Sequence, residues 1–316
     1  MNNESIKLGI SFSADTVRFI EAEEWNGKYN ITNVVQTPLP KSFDFSIIGD
    51  QEFVPRIADL IDKTVDNFSS DISNTRVCID RRLALKKNFA IDKGLSDKEV
   101  QDHIEWELDQ VLVAPRDEYN VDFVHTSLVS ARKDAVVFAA IRKAIVKYLQ
   151  DIFKKSRLSL EMLDLDLFAS IRALNAAYPD DLQGAAALVE FAQSGIGITF
   201  LIDGRYVFST DIITLANGQR FDALSVDELA STIHEELQKL TENVEENFQA
   251  TDLNRIYLAG TLQHKSIIDE LLKLRPLVQI ELAEPFRQAH KQLNIESQML
   301  IDERGEQFMS CLGMIL

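Results

Sequence analysis

The stretch LGISFSADTVRF (residues 8–19) consists of two apolar segments joined by the small residues Ser13, Ala14 and Asp15. Short apolar runs on either side of a small-residue turn are typical of a β-hairpin. The segment LVEFAQSGIGITF (188–200) has the same form. We therefore predict two β-hairpins, one near the start of the chain and one past its middle.

Each hairpin is followed by a second turn signal. Asn26-Gly27 follows the first hairpin and Asp203-Gly204 follows the second, and both dipeptides favour the type I′ turn. Each half therefore has the order strand, turn, strand, turn, strand, and then continues with helices. The repetition predicts a duplicated α/β core in which the two hairpin turns face each other across a cleft. Such turns usually hold phosphates.

Composition restricts the class of partner. The chain has 316 residues, is 46% apolar and carries a formal net charge of −17. Nucleic acids and anionic lipids bind through clustered Lys and Arg, so we expect neither as a partner. No long apolar run and no basic N-terminal region is present, so we expect neither a membrane span nor a signal peptide. We expect a cytosolic protein whose contact with a membrane would depend on another protein.

Metal and disulfide sites are not expected. Cys78 and Cys311 lie in apolar surroundings and lack CxxC spacing, which predicts core thiols. The five histidines show no spacing typical of metal ligands. We therefore predict that no metal ion is bound by cysteine or histidine.

A separate α+β segment interrupts the first half. Ser96 and Glu99 form a capping-box pattern, and the amphipathic helix that follows, predicted over 97–114, must end near Pro115. Predicted strands flank this helix, which indicates a compact insertion over 84–157.

Two further features follow the insertion. LEMLDLDLFASIRALN (160–175) predicts a strand, a capping Asp164 or Asp166, and a helix. Residues 176–184 are rich in Pro, Asp and Gly, which predicts a domain boundary there.

Trp106 is the candidate contact residue of the inserted helix. It lies off the apolar stripe that contains Ile104 and Leu108. Two interpretations are open: the indole packs against a neighbouring subdomain, or it contacts a partner protein.

The order of these segments resembles a known family, the actin-like (ASKHA) fold, and within it the type IV pilus assembly proteins of the PilM type. The resemblance covers nearly the whole chain. It is carried, in order, by LGISFSADTVRFIE, LSDKEVQDHIEWELDQVLVAP, MLDLDLFASIRALN, LVEFAQSGIGITFLIDGRYVF, IYLAGT, AEPF and CLGMIL.

The resemblance implies an α/β protein with duplicated actin-like, ribonuclease H-like domains. Residues 1–83 with 158–183 correspond to the first core (1A), and 84–157 correspond to the inserted 1C-like subdomain. Residues 184–316 correspond to the second core (2A). The part between 212 and 255 is shorter than in the family, which implies a reduced 2B subdomain.

The resemblance also locates a vestigial nucleotide site. Ser11, Ser13 and Arg18 stand where the family has Asp, Gly and Lys. The second hairpin has Glu190-Phe191-Ala192-Gln193 in place of Asp-Ile-Gly-Ala. The residues that correspond to the family's nucleotide site are Ser11, Ser13, Ala14, Asp15, Thr16, Arg18, Glu190, Gln193, Gly260 and Thr261.

These departures favour a pseudo-ATPase. Mg²⁺ requires oxygen ligands such as carboxylates, and phosphates require a close approach of backbone amides. We therefore expect no catalytic residue and no cofactor. The alternative is a working ATPase that binds ATP and Mg²⁺, with Glu190 and Asp15 serving the metal.

Three classes of function are compatible with the resemblance. The first is a cytosolic scaffold of a type IV pilus, or of a related secretion or competence platform, located at the inner membrane through a protein. The second is an ATPase or sugar kinase, and the third is the cytosolic part of a type II secretion L-type protein. The L-type protein requires a membrane span near its C-terminus, and MSCLGMIL (309–316) is too short for one.

The scaffold class implies specific partners. The family binds the cytosolic N-terminal tail of a PilN-like, single-span membrane protein. That tail lies between the first core and the inserted subdomain, which here corresponds to helix 97–114 and includes Trp106. The pilus motor ATPase and a second copy of the chain are further candidate partners.

Overall fold

The computed structural model describes residues 5–25, 28–69, 72–127, 133–213, 224–248, 252–262 and 265–316. The predicted Asn26-Gly27 turn lies outside the described residues. The chain forms two compact units. The first unit comprises Met1–Ala84, Ile141–Tyr178 and Glu284–Leu316, and the second unit comprises Leu85–Ala140 and Pro179–Ala283.

Strands and helices are mixed along the whole chain. The strands are β1 (Ser5–Phe12), β2 (Thr16–Trp25), β3 (Lys28–Pro38), β4 (Ile72–Ile79), β5 (Ala84–Asp92), β6 (Tyr119–Thr126), β7 (Lys133–Arg142), β8 (Leu160–Leu165), β9 (Ala185–Ala192), β10 (Gly195–Ile202), β11 (Arg205–Ile212), β12 (Leu253–Gly260), β13 (Gln279–Leu282) and β14 (His290–Lys291). The helices are α1 (Phe53–Thr64), α2 (Asp97–Val111), α3 (Lys143–Lys155), α4 (Asp166–Ala177), α5 (Val226–Phe248), α6 (Ile267–Leu274), α7 (Ile295–Arg304) and α8 (Met309–Gly313). No helix in these described ranges is both long enough and apolar enough to span a bilayer.

The two units contain sheets with the same strand order. In the first unit the order is β14-β3-β2-β1-β4-β8, and in the second it is β11-β10-β9-β12-β13. In each sheet the first three strands in chain order are antiparallel neighbours, and two later strands, β4 and β8 or β12 and β13, join in parallel. The first sheet contains one more strand, β14, which pairs in parallel with β3. This shared order confirms the predicted duplication and the mixed α/β fold class.

Both predicted hairpins are present. β1 pairs with β2 so that Phe12 lies opposite Val17, and β9 pairs with β10 so that Ala192 lies opposite Gly195. β10 is buried along its whole length, as expected for a strand that is covered on both faces. The predicted turn at Asp203-Gly204 is also confirmed. Both residues have positive φ angles, 50° and 71°, as the type I′ turn requires.

A three-stranded sheet, in the order β5-β7-β6, forms with α2 the inserted α+β segment. The capping box is confirmed, because Ser96 N donates to Glu99 Oε2 at 2.8 Å and Glu99 N donates to Ser96 Oγ at 3.4 Å. One face of α2 packs on this sheet through Val100, Ile104 and Leu108. The helix ends at Val111 rather than at 114, because the chain is already extended at Leu112.

Polar contacts within the second unit explain why β5 belongs to it. Lys86 Nζ lies 2.8 Å from Asp211 Oδ2, and Asn88 Nδ2 donates to the carbonyl of Ser209 at 2.6 Å. Helix α3, which the predicted insertion 84–157 includes, packs against α1 in the first unit. The boundaries of the family's subdomains therefore remain a prediction.

The predicted cap of α4 is wrong. The helix begins at Asp166 after Leu165, and no side chain caps its N-terminus. Asp164 instead pairs with Arg172 at 2.8 Å, and Asp166 accepts hydrogen bonds from Arg81. Each carboxylate thus pairs with an arginine, and such charge-assisted hydrogen bonds are stronger than bonds to neutral backbone amides.

Candidate functional site

The turn of the first hairpin is closed by its own hydrogen bonds. The amide and the hydroxyl of Ser13 both donate to the carbonyl of Thr16, at 2.9 and 2.8 Å. The carbonyls of Ala14 and Asp15 accept from the amides of Phe43 and Leu39, each at 2.7 Å. The Ser13 amide, which corresponds to a phosphate-facing glycine amide in the family, is therefore already used inside the turn.

Arg18 is buried in the first unit beneath this turn. Its Nη1 donates to Ser13 Oγ at 3.1 Å, its Nη2 donates to Gln307 Oε1 at 3.2 Å, and its guanidinium carbon lies 5.9 Å from the centre of the Phe308 ring. Loss of hydration on burial lowers the pKa of this guanidinium from its ordinary value. The cation that replaces the family's lysine is thus held by side chains of its own unit.

The position of the family's metal-binding carboxylate holds a buried hydroxyl. Ser11 is 4% exposed and lies beside Cys311, whose thiol donates to the carbonyls of Gly9 and Arg18 at 3.2 and 3.3 Å. Burial raises the pKa of Cys311 to about 12. Both cysteines are buried and free, as predicted. This part of the first unit is therefore a desolvated interior without a negative charge at Ser11.

Asp15 is the exposed carboxylate of the first turn. It accepts a hydrogen bond from Thr16 Oγ1 at 3.0 Å. The predicted nucleotide-site residues of the first hairpin, Ser11 to Arg18, all lie together in the first unit.

The second group of predicted residues lies within the second unit, where the parallel strands β9 and β12 end. Glu190 pairs with Gly197 on one side and with Ala259 on the other. Gln193 lies in the turn between β9 and β10. The two groups belong to different units.

Gly260 has a structural role that the sequence did not predict. Its φ angle is +83°, and a Cβ atom at this position would lie 2.1 Å from the carbonyl oxygen of Phe191. The amide of Thr261 donates to the same oxygen at 2.8 Å. Packing of β12 on β9 therefore requires glycine here whether or not a nucleotide binds.

Sequence reasoning missed an ion pair between the buried Arg81 and the partly exposed Asp166, at the ends of β4 and β8. Arg81 Nε donates to Asp166 Oδ1 at 2.8 Å, and the amide of Arg81 donates to the same oxygen at 3.0 Å. The Arg81 side chain is only 1% exposed. The two strands are parallel neighbours, so residues directly after their carboxyl ends meet at one edge of the sheet. A charged residue shortly after each of two predicted strands was the signal that could have indicated this contact.

Trp106 is not a core residue. Its side chain is 62% exposed, on the side of α2 opposite to Ile104 and Leu108. The exposure rules out packing in the hydrophobic core of the inserted segment. Contact with a partner remains a prediction.

Comparisons with known proteins agree with the fold. The sequence profile of the family described as type IV pilus assembly protein PilM matches residues 9–221. A chain of the solved PilM–PilN type IV pilus biogenesis complex is similar in structure, with a TM-score of 0.76 and 15% identity, over 99% of this chain and 98% of that one.

A second similar structure is a Bacteroides thetaiotaomicron protein of unknown function with an actin-like ATPase fold. The TM-score is 0.50 and the identity 13%, over 95% of this chain and 96% of that one. At such low identities, both likenesses establish the fold alone. The family profile spans more than half of the sequence, as the order of the motifs predicted. The chain belongs to the family of type IV pilus assembly proteins PilM, and its fold is the actin-like fold.

Proposed function

We propose that this protein is a scaffold on the cytoplasmic side of a type IV pilus, or of a related secretion or competence platform. In this role it binds the cytosolic N-terminal tail of a PilN-like, single-span inner-membrane protein. The observation that carries the proposal is the full-length likeness to a chain of the PilM–PilN complex, together with membership of the PilM family. Localisation at the inner membrane follows from the partner.

We further propose that the protein is a pseudo-ATPase. A phosphate would need free amides at the first turn, whereas the Ser13 amide is bonded to Thr16. It would also need a cation, whereas Arg18 is buried against Gln307 and Phe308. Mg²⁺ would need a carboxylate where Ser11 lies buried. These residues do not fit ATP and Mg²⁺, and Ser13 and Arg18 have structural contacts instead.

Isothermal calorimetry with Mg-ATP tests the pseudo-ATPase proposal. We expect no saturable heat, and no phosphate release in a parallel hydrolysis assay. A low-micromolar dissociation constant that weakens in Glu190→Gln would instead support the alternative, an actin-like ATPase that uses the second hairpin. Titration with MgCl₂ alone is the control for heats of dilution.

The tail is expected to contact the inserted segment. If the tail lies on the inserted segment, Trp106, which is exposed on α2, is the candidate residue to contact an apolar side chain of the tail. Extended peptides bind by pairing with a strand edge and by inserting alternate side chains, over a modest area. We therefore expect a micromolar dissociation constant.

A further inference from the structure

Helix α7 buries a serine and exposes an isoleucine and a methionine. Ser297 is 1% exposed, and its hydroxyl accepts from the amide of Val34 and donates to the carbonyl of the same residue, both at 3.0 Å. Ile295 and Met299, here called the apolar pair, are 79% and 54% exposed. A surface helix normally turns its apolar residues toward the core. Packing of α7 in its own unit therefore does not explain the apolar pair.

The apolar pair is presented on a helix that is held in place. Residues four apart are neighbours on one helix face, so the two side chains lie side by side. The bonds between Ser297 and β3 fix the opposite face, and Asn294 caps the helix by accepting from the amide of Ser297 at 2.8 Å. Because the element is already ordered, a partner that docks on it loses less entropy than on a loop. These features indicate a docking surface.

The rim of this surface is acidic. Glu296, Asp302 and Glu303 are exposed, and the 3.6-residue repeat places all three on the same side of the helix as the apolar pair. Asp302 accepts a hydrogen bond from Gln298 at 2.7 Å. In the part of the chain that the structure describes, none of the three carboxylates pairs with a cation. Their charge is thus available to a partner.

Two of these carboxylates lie where the helix itself disfavours them. Asp302 and Glu303 are in the last turn of α7, near the negative end of the helix dipole. Arg304 offsets one charge, so residues 294–304 keep a net charge of −2, the sum of three carboxylates and one arginine. Residues that break local rules without a structural gain are expected at functional sites. Cations of a partner would remove this unfavourable charge.

We propose that α7 docks an amphipathic helix of another protein, with an apolar stripe flanked by Lys or Arg. Apolar side chains spaced three and four residues apart cover the apolar pair, and the cations face the acidic rim. The contact is small, so we expect a dissociation constant of roughly 0.1 mM. This surface goes beyond the proposed function, because α7 lies in the first unit and the PilN-like tail is expected on the inserted segment.

Other occupants are disfavoured by charge. Contact between the α7 faces of two copies would bring together two acidic rims on chains that each carry a net charge of −17. Like charges across an interface oppose association. An anionic lipid surface is repelled for the same reason. A basic helix removes the repulsion and adds attraction.

The direct test is a nuclear magnetic resonance titration of the full chain, labelled with ¹³C at its methionine methyl groups. The probe is a designed helical peptide with Leu along one face and Lys on both sides of it. Met299 is the reporter, and Met299→Leu assigns its signal. Met162 on β8 of the same unit is also exposed, at 43%, and is the internal control. We expect a saturable shift of the Met299 signal and an unchanged Met162 signal.

Two control peptides separate the apolar and the charged parts of the contact. One has the same composition in an order that scatters Leu around the helix, and the other has Glu in place of each Lys. Neither should shift the Met299 signal at the concentration that saturates the shift with the Lys peptide. Binding of the Lys peptide should weaken at least about tenfold when the salt concentration rises from about 0.05 to 0.5 M.

Charge variants locate the acidic rim. Asp302→Lys with Glu303→Lys should weaken binding of the Lys peptide by at least about tenfold, and the new lysines suit the C-terminal end of a helix, so the fold should persist. The control is Glu245→Lys with Glu246→Lys on α5, where both side chains are exposed and the charge change is equal. This control should bind as the parent does. Circular dichroism checks that both variants are folded.

An apolar variant tests the other half of the contact. Ile295→Ser should weaken binding at least about fivefold, because it removes half of the apolar pair without a change in charge. Leu277→Ser is the matched control, since Leu277 is 97% exposed in the second unit. We expect the control to leave the affinity unchanged.

Four results would each overturn the proposal. They are an unchanged Met299 signal at about 2 mM Lys peptide, where a 0.1 mM site would be nearly saturated, an equal shift with either control peptide, equal weakening by the α5 variant, and a shift of Met299 on concentration of the chain alone, which would indicate self-association.

The PilN-like tail is titrated separately with the same label. A shift of Met299 by the tail would place the tail on α7 and contradict a distinct surface. Failure of the tail to bind anywhere, together with a Met299 shift by the Lys peptide, would contradict the proposed function and leave this inference intact.

Discussion

A Cβ atom added at Gly260 would lie 2.1 Å from the carbonyl oxygen of Phe191, closer than any real contact of this type. The residue that the family resemblance assigns to a nucleotide site is therefore required by the packing of two strands. Ser13 and Arg18, which stand where the family has Gly and Lys, form a hydrogen bond with each other at 3.1 Å in the first hairpin. Glycine at position 260 is thus explained by strand packing alone, without a bound nucleotide.

Gly260→Ala should lower the free energy of unfolding by more than about 2 kcal/mol, because it combines an unfavourable φ angle with overpacking. The matched control is Gly94→Ala. Gly94 has nearly the same φ, +82°, but no atom lies within 4 Å of its added Cβ. We expect the control to cost only about 1 kcal/mol. Urea unfolding measures both, and equal losses would show that the contact with Phe191 is unimportant.

Asp166→Asn should destabilise the protein by about 3 to 5 kcal/mol, since it removes the carboxylate that lies 2.8 Å from Nε of the buried Arg81 side chain. Asp59→Asn breaks an exposed pair with Lys63, whose side chains are 62% and 71% exposed. This control should change stability by less than about 0.5 kcal/mol. The comparison uses thermal unfolding, and a small effect of Asp166→Asn would mean that Arg81 finds another partner.

The two thiols should not react with Ellman's reagent at pH 8 until the chain unfolds. Burial raises the pKa of Cys78 well above its ordinary value and that of Cys311 to about 12. Because the folded thiols have the higher pKa, their contribution to stability is complete below the ordinary value of about 9 and is lost as the pH rises above it.

Urea unfolding between pH 8 and 10 measures this loss. The control is the variant Cys78→Ala with Cys311→Ala, in which the thiol part of the pH dependence should disappear. Rapid labelling of the folded parent would contradict the buried environment of both thiols.

Trp106→Ala should weaken binding of the PilN-like tail by about 1 to 2 kcal/mol and leave the fold intact, because the indole is exposed. Phe45→Ala is the matched control, since Phe45 is an aromatic residue of the first unit that is 60% exposed. Calorimetry with the tail peptide gives both affinities. An unchanged affinity in Trp106→Ala would place the tail elsewhere on the protein.

Local patterns were sufficient to predict the hairpins, the capping box and the duplication. The strands of both hairpins are close in sequence, and the Ser96–Glu99 contact spans a single helical turn. The contact between Arg81 and Asp166 was not predicted, because it joins residues that only the parallel pairing of β4 and β8 brings together. The wrong cap of α4 has the same origin.

The state of the candidate site depended on contacts that are distant in sequence. Arg18 looked like a substitute for a phosphate-binding lysine, yet Gln307 near the C-terminus holds it. Gly260 looked like a remnant of the adenosine site, yet the packing of β12 against Phe191 in β9 requires it. In both positions the residue type was visible in the sequence, whereas its partner was not.

The most direct measurement is a calorimetric titration of the chain with the cytosolic tail of the PilN-like protein, performed with and without Mg-ATP. A nucleotide-independent scaffold should bind the tail with the same micromolar dissociation constant in both titrations. Absence of tail binding, or binding that appears only with Mg-ATP, would contradict the proposed function.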